Sequence, residues 1–128
     1  MHTFAKSCQQ KLHTSVSPIE TQYDYLTNGT FQPDLIIGVD REHPERNKPN
    51  PYPVELVMKT FGVKPEEMGM IDDMCGGLYM AQKFPGMKVI GALYGDGHES
   101  IRNEIIEAST DVAYTVSDLY KIVGLIEE

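Results

Sequence analysis

The sequence holds only two cysteines, Cys8 and Cys75, and they form no metal-spaced pair. A thiolate zinc site is thereby excluded, and a single disulfide is the most the chain could form. Apolar runs of membrane-spanning length are missing, as is a charged segment leading into a long apolar one, the mark of a secretory signal. These absences predict an intracellular, cytoplasmic protein with reduced thiols. Asn28-Gly29-Thr30 matches a glycosylation acceptor in form, but without a secretion signal it reads as a turn. Runs of like charge are also lacking, and 11 basic residues face 19 acidic ones for a net charge of -8. Neither nucleic acid nor an anionic membrane suits such a surface, so the acids are read as keeping the protein soluble.

A length of 128 residues allows one domain, residues 1–128, with a real core but no room for separate catalytic and substrate domains. Short apolar runs alternate with helical patterns, the signature of an α/β domain with a mostly parallel sheet. Strands are predicted at Thr3–Ala5, Leu35–Val39, Met68–Ile71, Val89–Leu93 and Val112–Thr115. Val54, Val57, Met58 and Phe61 fall at i, i+3, i+4 and i+7, one stripe of a helix that Gly62 and Pro65 stop. A shorter helix carries Leu78, Ala81 and Gln82 and ends at Pro85-Gly86. Another spans His98 to Ala108 with Ile101, Ile105 and Ala108 facing inward. A last one carries Leu119, Ile122, Val123 and Ile126, with Ser117 as its expected N-cap. A helix from about Cys8 carrying Leu12 and Val16 is interrupted by Pro18. Asn28-Gly29 marks the turn before Phe31.

Two features carry chemistry. Asp72 and Asp73 follow the apolar run Met68–Ile71, and open α/β sheets gather their ligands at the carboxyl ends of strands. Adjacent like charges repel, so two ionised carboxylates there favour a nearby cation such as Mg²⁺. The alternative is that Asp73 caps the following helix while Asp72 is solvated. Lys48 sits in Asn47-Lys48-Pro49-Asn50-Pro51, where two prolines stiffen the loop and Pro53 pre-forms the next helical turn. Such bracing aims one ammonium reproducibly, as a phosphate site requires. The bland reading is a solvated surface lysine.

In order, Phe31-Gln32-Pro33-Asp34-Leu35-Ile36-Ile37-Gly38, Lys48-Pro49-Asn50-Pro51, Phe61-Gly62-Val63-Lys64-Pro65 and Met70-Ile71-Asp72-Asp73 line up with known motifs. Gly86-Met87-Lys88-Val89-Ile90-Gly91, Asp111-Val112-Ala113-Tyr114 and Ser117-Asp118-Leu119 continue the series. From Phe31 to Leu125 the chain resembles the C-terminal half of a haloacid dehalogenase (HAD) superfamily hydrolase, of the phosphoglycolate-phosphatase-like branch. The resemblance implies a Rossmann-like three-layer sandwich with a mostly parallel sheet, an incomplete HAD-like core. It further implies Lys48 as the phosphate-holding lysine, Asp72 as the main Mg²⁺ ligand and Asp73 as an auxiliary ligand. Ser7 would be the phosphate-binding hydroxyl, although a Lys-Ser-Cys run also suits a turn or cap.

The chain departs from that family at two places. Gly76 stands where a second aspartate commonly follows the first by four residues. The Asp-x-Asp that supplies the family's nucleophile follows no apolar run, and the cap domain is absent. Asp40 ends an apolar run but lies only eight residues before Lys48, too close to serve as that nucleophile. The missing motif takes with it a central strand of the family's sheet, next to the strand that ends at Asp72. The gap must then close, recruit a strand from another molecule, or reflect a longer protein.

The leading expectation is a Mg²⁺-dependent HAD-like phosphohydrolase domain, truncated or degenerate, acting on a small phosphorylated substrate or binding phosphate with little or no turnover. The alternative is a non-catalytic phosphate- or Mg²⁺-binding module, or an interaction module that shares its sheet with a partner or a second copy. A receiver domain also combines paired acids, a lysine and a parallel sheet, but in the reverse order. Met74, Met80 and Met87 are expected to pack in the core, and His43 and His98 to be solvated.

Overall fold

A computed structural model describes residues 11–12 and 34–127. The expected strand Thr3–Ala5, the interrupted helix from Cys8, the turn at Asn28-Gly29 and the candidate hydroxyl of Ser7 lie outside the described residues. Strands β1 (Lys11–Leu12) and β2 (Ile36–Ile37) pair in parallel. A 3₁₀ turn at Pro44–Arg46 leads to helix α1 (Tyr52–Phe61). After a second 3₁₀ turn at Pro65–Glu67 come β3 (Gly69–Asp72), α2 (Cys75–Gln82), β4 (Lys88–Ala92), α3 (Arg102–Ala108), β5 (Asp111–Ala113) and α4 (Val116–Ile122).

The strands β3, β4 and β5 form one parallel sheet in sequence order, with Asp72 level with Gly91 and Gly91 level with Val112. Parallel neighbours need a crossover, and α2 and α3 supply the two. Side chains alternate across this sheet. Met70 and Val89 pack into a core with Val54 and Val57 of α1, Leu78 and Ala81 of α2, and Ile105 and Ala108 of α3. Their neighbours Ile71 and Ile90 turn to the other face and meet Leu119, Ile122 and Val123 at α4. Three layers result, as the family resemblance implies. Leu78, Ile90 and Ile105 are fully buried, each side chain worth about 1.5–3 kcal/mol of transfer free energy.

Several boundaries differ from expectation. The strand expected over Leu35–Val39 contracts to Ile36–Ile37. The helix expected from His98 begins at Arg102, because His98 to Ile101 form a turn with the Ile101 amide donating to the His98 carbonyl. The cap of α4 is Thr115, not Ser117: the Thr115 hydroxyl accepts from the Asp118 amide, and the Asp118 carboxylate accepts from the Thr115 amide. This reciprocal box satisfies two end donors at once, which Ser117 inside the first turn could not. Ile126, expected on the inner stripe, lies past the helix end and is exposed. Met80 and Met87 are core residues as expected, whereas Met74 is 57 % exposed at the N-cap of α2. Gly62 ends α1 with φ 63°, a left-handed turn that suits glycine, and its amide closes on the Met58 carbonyl.

Candidate functional site

The loop from Asp40 to Pro51 is built around its first residue. One oxygen of the Asp40 carboxylate accepts from the amides of Glu42 and His43, and the other faces the His43 ring at 3.3 Å and the Arg46 guanidinium at 3.5 Å. The His43 amide bond, with the charges of His43 and Arg46, holds the Asp40 carboxyl below its ordinary range. The Asn47 side chain closes the turn from the far end: its Oδ1 accepts from the Asp40 amide at 2.8 Å, and its Nδ2 donates to the Asp40 carbonyl at 2.7 Å. Asp40 is therefore a loop clasp, its carboxylate turned into the Glu42–Arg46 turn. His43, expected to be solvated, belongs to the same clasp.

Lys48 leaves the clasp one residue after Asn47. The peptide to Pro49 is cis, and the Pro49 carbonyl accepts from Lys83 Nζ at 2.8 Å, tying the loop to the end of α2. Arg46 stacks over the Tyr52 ring at 5.4 Å, fastening the loop to the start of α1. Thus anchored, Lys48 points at the carboxyl end of β3. Its Nζ donates to Asp72 Oδ2 at 2.7 Å, with the two side chains 21 % and 10 % exposed. Asp72 Oδ1 accepts from the Met74 amide at 3.0 Å. Two candidates 24 positions apart in sequence thus meet, and the solvated alternatives for both are excluded.

Asp73 does not cap α2. The N-cap position is Met74, no side chain caps that helix, and the Asp73 carboxylate turns to His98 instead. His98 Nε2 lies 3.2 Å from Asp73 Oδ2 and its Nδ1 lies 3.1 Å from the Gly95 carbonyl. Acceptors on both ring nitrogens call for a proton on each, the imidazolium form. The hydrogen bond to Asp73 raises the His98 pKa, aided by the Gly95 carbonyl and against some desolvation. His98 is 11 % exposed and Asp73 58 %, so the histidine is held in the wall while the carboxylate looks outward. The solvated histidine predicted from the sequence is corrected accordingly.

These groups rim a cavity of about 530 Å³ that runs between β2 and β3. Leu35 and Ile37 line it from the β2 side, Met70 and Ile71 from β3, and Leu119 and Val123 from α4. Among the described residues, its charged lining consists of Lys48, Asp72, Asp73 and His98, paired as Lys48–Asp72 and Asp73–His98. Among the described residues no group of three or more His, Cys, Asp or Glu side chains gathers to cage a metal. Two adjacent carboxylates at an open mouth nevertheless suit Mg²⁺, which keeps several waters and is commonly held by one or two carboxylates together with phosphate oxygens.

Sequence reasoning weighed His98 at a helix start near the site mouth but read it as solvated, and it passed over the Asp40–Asn47 clasp. The signals were faint: a histidine after Gly95-Asp96-Gly97, and an Asp and an Asn bracketing Pro44. Cys75 is a free thiol whose pKa is raised by burial and by nearby Glu104, consistent with an inert packing role. No helix among the described residues is long and apolar enough to cross a membrane.

No family model matches the chain, and no curated protein matches it. Among solved structures, it is similar to a conserved haloacid dehalogenase-like protein of unknown function from Agrobacterium tumefaciens. The TM-score is 0.70 at 19% sequence identity, over 90% of this chain and 52% of that one. The chain thus spans about half the length of that structure. Its parallel sheet, its flanking helices and this likeness together show a haloacid dehalogenase-like fold.

Proposed function

We propose that the carboxyl end of β3 is a phosphate and Mg²⁺ site, the retained half of a HAD-like phosphohydrolase centre of the phosphoglycolate-phosphatase-like branch. The observation that carries this reading is the 2.7 Å contact between Lys48 and Asp72 at the mouth of the cavity. Lys48 Nζ has three donors, and Asp72 engages one, which leaves capacity for a phosphoryl oxygen. Asp72 and Asp73 would hold Mg²⁺, which when bound supplies positive charge to phosphoryl oxygens. His98 keeps Asp73 in place at the rim, and apolar walls lie behind the site.

Positioning and electrostatics dominate phosphoryl transfer, and this half-site offers both. The covalent route also needs a carboxylate nucleophile, and the one aspartate that ends an apolar run ahead of Lys48, Asp40, is committed to its clasp. Binding without appreciable turnover is therefore the proposed activity of this chain by itself. Mg²⁺-dependent hydrolysis of an aryl phosphate, measured beside Asp72→Asn, tests the point. Background rates in both samples are expected, and turnover that disappears in the variant would overturn the binding-only reading.

A second reading, an interaction module that shares its sheet, draws on the separation of β2 from β3. Both strands run beside the cavity, and they do not pair with each other. Light scattering over a range of concentrations tests sharing between copies of the chain. A clean monomer at high concentration would count against it.

A further inference from the structure

We infer that Gly77 is a positioning residue for Asp72, and through it for the cation affinity of the site; the second half of this inference rests on the function proposed above. Gly77 lies in the first turn of α2, where glycine is a poor helix former and alanine the best. Its place there needs a reason, and the space beside it provides one. A Cβ on Gly77 would stand 1.9 Å from Asp72 Oδ2, 2.8 Å from its Cγ and 3.1 Å from its Cβ. No real contact is that short, so the carboxylate occupies the volume that any side chain would fill.

The oxygen concerned is the one that Lys48 holds. Asp72 Oδ2 is wedged between Lys48 Nζ at 2.7 Å and the bare backbone of Gly77. Its partner oxygen is fixed by the Met74 amide at 3.0 Å. Three groups thus determine where the carboxylate sits: a cation in front, an amide at one side and an absent side chain behind. Asp72 is at a strand end and only 10 % exposed, so it has little room to retreat. A methyl group at position 77 would drive it off Lys48 or push α2 away from β3.

The neighbouring glycine provides an internal control. A Cβ on Gly76 would find its nearest neighbour outside its own helix, the Lys48 Cβ, at 4.0 Å, an ordinary contact. Both glycines share one helix and one turn, so loss or gain of helix propensity is common to both substitutions. Only Gly77 is pressed by Asp72.

The test is a thermodynamic cycle with a binding readout. Melting temperatures are measured for the wild type, Gly77→Ala, Asp72→Ala and the double variant, with Gly76→Ala alongside. Gly77→Ala is expected to lower the melting temperature by roughly 5–10 °C in the wild type and to lower it clearly less in the Asp72→Ala background, where only the Cβ at position 72, 3.1 Å from the new methyl, remains. Gly76→Ala is expected to be neutral or stabilising. Mg²⁺ titration by calorimetry is expected to show about tenfold weaker binding in Gly77→Ala and wild-type binding in Gly76→Ala. Equal losses of stability in both Asp72 backgrounds would overturn the steric inference, as would Gly77→Ala matching Gly76→Ala throughout. Should the wild type bind no Mg²⁺, the proposed function fails while the cycle still decides the role of Gly77. If Gly77→Ala does not fold, recovery of folding in the double variant supports the inference, and failure of both overturns it.

Discussion

Lys48 and Asp72 stand 24 residues apart in the chain and 2.7 Å apart in space, joining the loop before α1 to the end of β3. Each neutralises the other in a setting where neither is well solvated. Removing one partner leaves the other as an uncompensated charge in a poorly hydrated position, which costs more than the pair itself contributes. Because both side chains keep some exposure, Lys48→Met is expected to cost about 1–3 kcal/mol. Chemical denaturation measures it, and a change near zero would show the pair to be solvated in solution.

His98 makes the site sensitive to pH in a defined direction. Its folded pKa is raised above the ordinary 6.5, first by the hydrogen bond with Asp73. The stability contributed by the pair is then fully present below 6.5 and is lost as pH rises through the folded value. An NMR titration of the imidazole is expected to show a midpoint above 6.5 that falls in Asp73→Asn. A midpoint at or below 6.5 in the wild type would contradict the geometry.

Asp40 has the opposite sign. Its folded pKa lies below the ordinary 3.8, chiefly through the His43 amide. Its contribution is present above 3.8 and lost as pH falls through the depressed folded value. The His43 and Glu42 amides are expected to shift together only below pH 3.8. In Asn47→Ala, which opens the other side of the clasp, amide exchange across the loop is expected to quicken and the Lys48 contact to loosen. Unchanged exchange would mean that the prolines alone hold the loop.

The box at the start of α4 gives a compact stability test. Thr115→Ala removes the hydroxyl that accepts from the Asp118 amide and is expected to cost about 1 kcal/mol. Ser117→Ala, inside the first turn, is expected to change stability by less than about 0.5 kcal/mol. Thermal melts of the two variants decide which residue caps the helix.

What was legible in the sequence follows from range. Alternation across β3 and β4 and the stripe of Val54 and Val57 are local periodicities, and they predict the sheet, the helices and most of the core. Asp72 and Lys48 could be singled out because an apolar run and a pair of prolines mark their places. The partner of Asp73 could not be, since nothing in the vicinity of Asp73 points 25 residues ahead to His98. The capping residue of α4 was missed because Thr115 and Ser117 are both good caps, and only the position of Asp118 relative to the chain entry selects the former. Gly77 was not singled out at all: two glycines in a helical stretch can mark a close approach, but not what approaches.

The most direct test of the account is Mg²⁺-coupled phosphate binding, followed by NMR on the labelled chain. Inorganic phosphate is expected to perturb Lys48, Asp72 and Asp73 together, more tightly with Mg²⁺ than without. Lys48→Met should abolish the phosphate response, and Asp72→Asn should abolish its dependence on Mg²⁺. Phosphate and Mg²⁺ that leave these residues undisturbed in the folded wild type would contradict the assignment of this site.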